Sequence, residues 1–298
     1  MYDILIIGAG PAGISAGIYA VSRGKKTLIL EQSQVGGIIG KVSTVTHYTA
    51  IQSHETGATF ASRMKEQALN AGVEIAYETV TGAELTGEVK TIRTNKSVYQ
   101  ARRVILANGG TPRKLGIPGE EELAGKGMGL NAPRDGASYT GKNIYVVGGA
   151  DGAVKEALYL ASFARRLTII HFEDQLGCIP EFRQKVAAAG NITLCLGSRL
   201  HGVYGQDQVE RLEIANEHDG TVESIEDPGC GIFVYAGTSP NTQLYTQLAL
   251  QDGYIVTNEK METSIPGVYA AGDIRVKQVR QVATAVSDGA IAAINAAL

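Results

Sequence analysis

Asp3-Ile4-Leu5-Ile6-Ile7-Gly8-Ala9-Gly10-Pro11-Ala12-Gly13-Ile14 decides the fold. Asp3–Ile7 is a β-branched apolar run, which reads as a buried strand. Gly8–Gly13 is a glycine turn in the spacing GxGxxG. Ile14–Ser22 carries the small and apolar residues of a tightly packed helix. Lys26–Leu30 reads as a second strand that ends at Glu31. Strand, glycine turn, helix and strand with a closing acid form a dinucleotide-binding unit, and each residue type has a physical role. Gly8 permits the tight turn, Gly10 leaves room for a pyrophosphate at the helix N-terminus, and Gly13 lets helix and strand pack closely. Glu31 can accept hydrogen bonds from both hydroxyls of a ribose and repels a 2′-phosphate.

The pattern recurs about 140 residues later. Asn143–Val147 reads as a strand, Gly148–Ala153 as a glycine turn, Val154–Phe163 as a helix and Leu167–Ile170 as a strand. Arg103–Leu106 and Gly231–Tyr235 read as strands that run into two punctuated segments. These are Ala107-Asn108-Gly109-Gly110-Thr111-Pro112 and Ala236-Gly237-Thr238-Ser239-Pro240-Asn241, which read as hinges. The remaining C-terminal segment has a strand at Val268–Ala270 and a helix from Val282 to Ala297. It is too short to bury a core of its own, so it completes the first domain. The expected architecture is α/β, with two Rossmann-like three-layer nucleotide-binding domains, the second inserted in the first. Residues 1–112 plus 244–298 form the first and residues 113–243 the second.

The composition agrees. The 298 residues match a prior of roughly 150 residues per domain. With 27 basic and 30 acidic side chains the net charge is −3, which argues against a nucleic-acid binder. No apolar run approaches the roughly 18 residues of a membrane span, and no signal peptide is visible, so a cytoplasmic location is expected. Cys178, Cys195 and Cys230 are widely spaced and form no CxxC, which argues against a disulfide framework or a zinc site. The five histidines have no metal-ligand spacing, and no metal is expected.

The C-terminal end distinguishes between dinucleotides. Tyr269-Ala270-Ala271-Gly272-Asp273, followed by Arg280-Gln281-Val282, sets a carboxylate and a polar pair beside a helix start. That arrangement suits the ribityl chain and pyrimidine edge of a flavin, with the helix dipole favouring negative charge on the reduced ring.

On these residues the chain resembles the low-molecular-weight thioredoxin reductase family of FAD flavoproteins over nearly its whole length. The resemblance rests on Gly8–Gly13, Gly36-Gly37, the stretch PRKLGIPGE from Pro112 to Glu120, Gly148–Ala153, GTSPNT from Gly237 to Thr242, and Ala270–Asp273 with Arg280-Gln281. It implies an FAD domain built from both chain ends, an inserted pyridine-nucleotide domain and a homodimer. The implied FAD contacts are Gly8, Gly10, Gly13, Glu31, Gly36, Gly37, Ala107, Gly109, Gly272, Asp273, Arg280, Gln281 and Val282.

The departures are specific. Where the family carries CATCDG, this chain reads Asn131-Ala132-Pro133-Arg134-Asp135-Gly136, so Asn131 and Arg134 stand at the positions of the redox cysteines. Neither can relay electrons through a disulfide. Asp135, the family's proton-handling carboxylate, remains. Cys178 or Cys195 would replace the pair only if two thiols came within about 7 Å in Cα distance. The second fingerprint reads Gly148-Gly149-Ala150-Asp151-Gly152-Ala153, with Ala150 where a glycine should pass the pyrophosphate. The family's HRR segment is His171-Phe172-Glu173-Asp174, whose carboxylates repel a 2′-phosphate. Ile38, His47 and Asn108 replace family residues expected near the flavin. His47 is a candidate proton donor, and Arg134 and Asp135 are candidates to face the working side of the ring.

The expectation is an FAD-dependent oxidoreductase that lacks the CATC disulfide and does not use NADPH. Its donor is ferredoxin, another small redox protein, or a second FAD bound in the inserted domain near Gly148, Ala150, Asp151 and Phe172. One alternative is an NADH-dependent reductase of a small acceptor. Another is a catalytically quiet flavin-binding redox sensor or scaffold.

Overall fold

The computed structural model describes residues 1–298. The chain forms two compact units, Met1–Thr111 with Ser239–Leu298, and Pro112–Thr238. The return to the first unit thus lies at Ser239, ahead of the expected residue 244.

The first unit begins with β1 (Tyr2–Ile7), α1 (Pro11–Val21), β2 (Thr27–Glu31), α2 (Gly57–Asn70), β3 (Glu74–Tyr77), β4 (Val80–Glu84), β5 (Lys90–Thr94) and β6 (Val98–Leu106). Helix α1 starts at Pro11, ahead of the expected Ile14, because proline at the first helical turn costs no hydrogen bond. The strands order as β3-β2-β1-β6-β5-β4. β1 pairs parallel with β2 and β6, so its side chains are covered on both faces. Ile4 and Ile6 join the core under the helices, while Leu5 and Ile7 join the core on the other face.

Strand β7 (Gly110–Pro112) leads out of the first unit. The second unit holds α3 (Ala132–Asp135), β8 (Asn143–Val147), α4 (Asp151–Leu160), β9 (Arg166–Ile170), α5 (Pro180–Ala188), β10 (Ile192–Cys195), β11 (Ser198–Tyr204), β12 (Arg211–Asn216), β13 (Val222–Glu226) and β14 (Gly231–Val234). Helix α4 begins at Asp151, inside the segment expected to be a turn, and ends at Leu160, short of Phe163. A parallel sheet orders as β10-β9-β8-β14, and β11, β12 and β13 form an antiparallel meander.

Strand β15 (Thr238–Pro240) pairs with β7 on the way back. It is followed by β16 (Leu250–Gln251), β17 (Tyr254–Ile255), β18 (Val268–Ala270) and α6 (Val282–Ala296). β18 adds parallel to β6, pairing Val268 with Val104 and Ala270 with Leu106. Helix α6 packs against α1, where Ser15 Oγ donates to the Val286 carbonyl at 2.7 Å. The C-terminal segment thus extends the sheet of the N-terminal segment. No helix is long and apolar enough to cross a membrane.

The α1–α6 contact depends on absent side chains. A Cβ on Gly289 would stand 2.1 Å from the Ala12 carbonyl oxygen. Gly289→Ala is therefore expected to destabilise the protein by about 3 kcal/mol through forced separation of the helices. Gly152 in α4 has no atom within 4 Å of such a Cβ, so Gly152→Ala should be neutral or stabilising by up to about 1 kcal/mol. Chemical denaturation of both variants checks the contrast.

Candidate functional site

The first site assembles from backbone. Gly8 has φ +100°, and a Cβ there would stand 2.6 Å from the Ala107 carbonyl oxygen. A Cβ on Gly13 would stand 1.8 Å from the Gly8 carbonyl oxygen. Gly10 differs, because nothing lies within 4 Å of the position its Cβ would take. That open space lies at the start of α1, whose N-terminus has no side-chain cap. Free N–H groups and the helix dipole there suit an anion. Glu31 is buried at the end of β2. Its Oε2 accepts from the Ala9 N–H and its Oε1 from the Ser33 N–H, both at 2.9 Å. These bonds hold the carboxylate beside the turn.

Other segments converge on the same place. The Gly36 N–H donates to the Ala9 carbonyl at 2.9 Å, and a Cβ on Gly37 would stand 3.4 Å from the Gly10 Cα. The Ala107 N–H donates to the Ile7 carbonyl, and the Ala271 N–H to the Leu106 carbonyl. Gly272 lies against Ala12. Its N–H donates to Asp288 Oδ2 at 3.1 Å, and Lys277 Nζ donates to the same oxygen at 2.8 Å. Asp288 and Lys277 escape a motif-based reading. The only sequence signal is a lone acid inside the small-residue helix α6.

Asp273 Oδ1 and Arg280 Nε are buried without hydrogen-bond partners. Burial holds the Asp273 carboxyl above the usual carboxylate range, with Lys277 and Arg280 opposing the rise and Asp288 adding to it. Arg280 stacks its guanidinium 4.2 Å from the Tyr254 ring centroid. Gln281 precedes α6 and donates its N–H to Thr284 Oγ1 at 3.2 Å, and Val282 is the helix's first residue. Orphaned polar atoms beside an open glycine turn fit a dinucleotide with a polar chain such as FAD. His47 is exposed and shares a 3.0 Å hydrogen bond with Thr46 through Nδ1. Ile38 is also exposed. The Asn108 amide pairs with Asn241, its Nδ2 donating to the Asn241 backbone carbonyl at 3.0 Å, while the Gly109 carbonyl accepts from the Asn241 N–H.

In the second unit, Asn131 caps α3, its Oδ1 accepting from the Arg134 N–H at 3.1 Å. Arg134 Nε and Nη2 donate to the two oxygens of Asp135 at 2.7 and 2.8 Å, and the Asn131 N–H adds a third bond to that carboxylate. The Arg134 hydrogen bond is the chief reason the Asp135 carboxyl lies below the usual range. A carboxylate so held resists protonation and is a poor proton donor at neutral pH. All three cysteines are free. Burial raises the Cys178 thiol and pushes Cys230 up to about 12, so both stay protonated at neutral pH.

At the second glycine turn, Gly148 has φ +129° and lies against the Tyr235 carbonyl. Ala150 precedes α4 without capping it, and Asp151 Oδ1 accepts from the Ile179 N–H at 2.8 Å. His171 packs its ring onto Gly149, and its Nε2 lies 3.1 Å from Glu173 Oε2. Phe172 is 46% exposed.

Two Rossmann-like units, each with a glycine turn between a strand and a helix, define a flavin-dependent oxidoreductase once known proteins are compared. The family model described as pyridine nucleotide-disulphide oxidoreductase matches residues 2–289. A thioredoxin reductase of Peptoclostridium acidaminophilum is 40% identical, over 99% of this chain and 96% of its own. The Lactococcus lactis thioredoxin reductase structure, in its FR conformation, is 36% identical, covering 99% and 98% of the two chains with a TM-score of 0.95. The ferredoxin-flavin thioredoxin reductase structure from Clostridium acetobutylicum is 31% identical over 99% and 96%, with a TM-score of 0.54. The chain belongs to the pyridine nucleotide-disulphide oxidoreductase family and is thioredoxin reductase-like.

The folded pKa of Asp273 lies above the ordinary 3.8, so ionising it costs the folded state stability. In flavin-free protein, Asp273→Asn should raise the unfolding midpoint at pH 7. The advantage should shrink as pH falls toward 3.8 and vanish below it. The same variant should retain less FAD on gel filtration. Thermal scans across pH and flavin absorbance measure the two effects.

Proposed function

We propose that this protein is an FAD-dependent electron-transfer enzyme that works without a redox disulfide and takes its electrons from a donor other than NADPH. The carrying observation is the Asn131–Asp135 segment. At the two positions where the family's dithiol stands, this chain has a helix-capping amide and a guanidinium locked onto Asp135. Neither group can form a mixed disulfide with a thioredoxin-type substrate.

The residues of the first unit would hold FAD as follows. Gly8, Gly10 and Gly13 present the N-terminus of α1 to the pyrophosphate. Glu31 takes the ribose hydroxyls of the adenosine. Asp273 and Arg280 bring their unpartnered atoms to the polar chain and the pyrimidine edge. When bound, the flavin supplies one- and two-electron transfer. Gly36, Gly37, Ala107, Gly109 and Gly272 shape the cradle, and Val282 with Gln281 starts the helix whose dipole favours negative charge. His47, exposed beside Tyr48, is the residue of this unit offered as a proton donor.

The donor is read from the second unit. Ala150 carries a methyl group where a pyrophosphate would pass, and Phe172-Glu173-Asp174 offers carboxylates where a 2′-phosphate needs arginines. A reduced small protein of the ferredoxin kind, or a second FAD, fits these losses better than NADPH. The ferredoxin-flavin relative carries its donor in its name. NADH remains the competing donor, because Glu173 suits an unphosphorylated ribose. Homodimerisation is proposed with the same fold-based warrant.

Anaerobic mixing of the purified holoenzyme with NADPH, NADH and reduced ferredoxin in parallel tests the proposal. Reduced ferredoxin should bleach the flavin band near about 450 nm, and NADPH should leave it intact. Rapid bleaching by NADPH would overturn the reading, and bleaching by NADH alone would transfer it to the competing donor. Flavin counted on the same sample decides the second-FAD variant, because one FAD per chain excludes it. Absence of turnover with every donor would leave a redox sensor.

A further inference from the structure

One buried carboxylate ties down the segment between β18 and α6. Asp288 lies on α6 and is 6% exposed. Its Oδ2 accepts from the Gly272 N–H at 3.1 Å and from Lys277 Nζ at 2.8 Å, and Arg275 Nη1 stands 3.4 Å away. The Lys277 side chain is 7% exposed and that of Arg275 15%, so all three charges are held away from water. Further bonds fix the segment that carries them. The Val276 N–H donates to the Ile255 carbonyl at 2.9 Å, and Arg275 Nε donates to Thr257 Oγ1 at 2.8 Å. Thr284 Oγ1, on α6, donates to the Val279 carbonyl at 3.0 Å.

The same segment carries Asp273 and Arg280, whose Oδ1 and Nε are buried without partners. Lys277 therefore acts on two carboxylates. It donates to Asp288, and its charge favours the ionised form of Asp273, which the charge of Asp288 opposes. Arg275, Lys277 and Arg280 together face Asp273 and Asp288, which leaves one positive charge in excess among these groups. Solvent screens charges at this depth only weakly, so the loss of one is felt across the cradle.

We infer that Asp288 is a positioning residue that sets the reduction potential of the FAD in the first unit, by holding Lys277 in place and offsetting its charge. The inference rests on the reading of the first unit as an FAD site and is independent of which donor supplies the electrons. Reduction brings two electrons from the donor and one proton from solvent to the flavin ring, which gains one negative charge. The excess cation of the segment favours that charge, and Asp288 limits how far. Loss of the Asp288 charge then makes the flavin easier to reduce, and loss of the Lys277 charge makes it harder. A purely architectural pair behaves otherwise, because breaking it from either side disturbs the same segment and moves the flavin in one direction.

Anaerobic equilibration of the holoenzyme with a redox dye, at about pH 8 and so above the ordinary carboxylate range, reads the ratio of reduced to oxidised flavin at a fixed state of the dye. Asp288→Asn keeps an oxygen that accepts from the Gly272 N–H and removes the charge. It should raise the ratio about five-fold or more, and Lys277→Met should lower it about five-fold or more. The double variant restores the net charge and should return to within about two-fold of the unaltered enzyme. Lys277→Arg keeps the charge and should also stay within about two-fold, so the two Lys277 variants decide the matter even where Asp288→Asn does not fold. Circular dichroism and flavin absorbance per chain identify the variants that are folded and loaded. Shifts of the same sign in Asp288→Asn and Lys277→Met, or an unmoved ratio in Lys277→Met, would overturn the inference and leave the FAD reading intact. Unaltered protein that binds no FAD would overturn both.

Discussion

The Gly8 carbonyl oxygen meets the backbone of Gly13 so closely that any side chain on Gly13 would occupy the same space, 1.8 Å away. The rest of the first unit follows from that approach. It draws α1 down onto β1 and β6 and leaves the space over Gly10 open. It also lets α6, which needs Gly289 for the same reason, press against α1. A single Cβ at either place would push the helix off the sheet and close the cradle. Backbone-to-backbone packing of this kind, with Glu31 and Asp288 accepting from N–H groups of the cradle, gives the site its rigidity.

Charge is distributed differently in the two units. The first surrounds its orphaned Asp273 with Lys277, Arg280 and Asp288, so a buried acid and unpartnered donors wait for polar groups of a ligand. Desolvation opposes ionisation of that acid, which makes the cradle weaker when empty than when filled. The second unit pairs several of its charges with one another. Arg134 closes on Asp135, Arg199 on Glu217 and Asp174 on His218. Paired charges attract a phosphate less than free ones.

The sequence shows without coordinates that Asn131 and Arg134 carry no thiol. It could not show that Arg134 folds back on Asp135, because an i,i+1 pair needs the local turn of α3 to meet. Asn108 was readable as a departure from its family, but its engagement with Asn241 spans 133 residues and no local pattern encodes it. Asp288 was invisible for the same reason.

Local pattern alone therefore determined the two glycine turns, the strands that feed them, the acid at Glu31 and the identity of the replaced residues, because these depend on side-chain size and period within a few turns of chain. The tertiary structure decided where α1 and α4 begin, that Ser239 already belongs to the first unit, and which charges are paired. Those outcomes depend on groups far apart in sequence coming within about 3 Å, a distance that hydrogen bonding requires and that only the folded chain supplies.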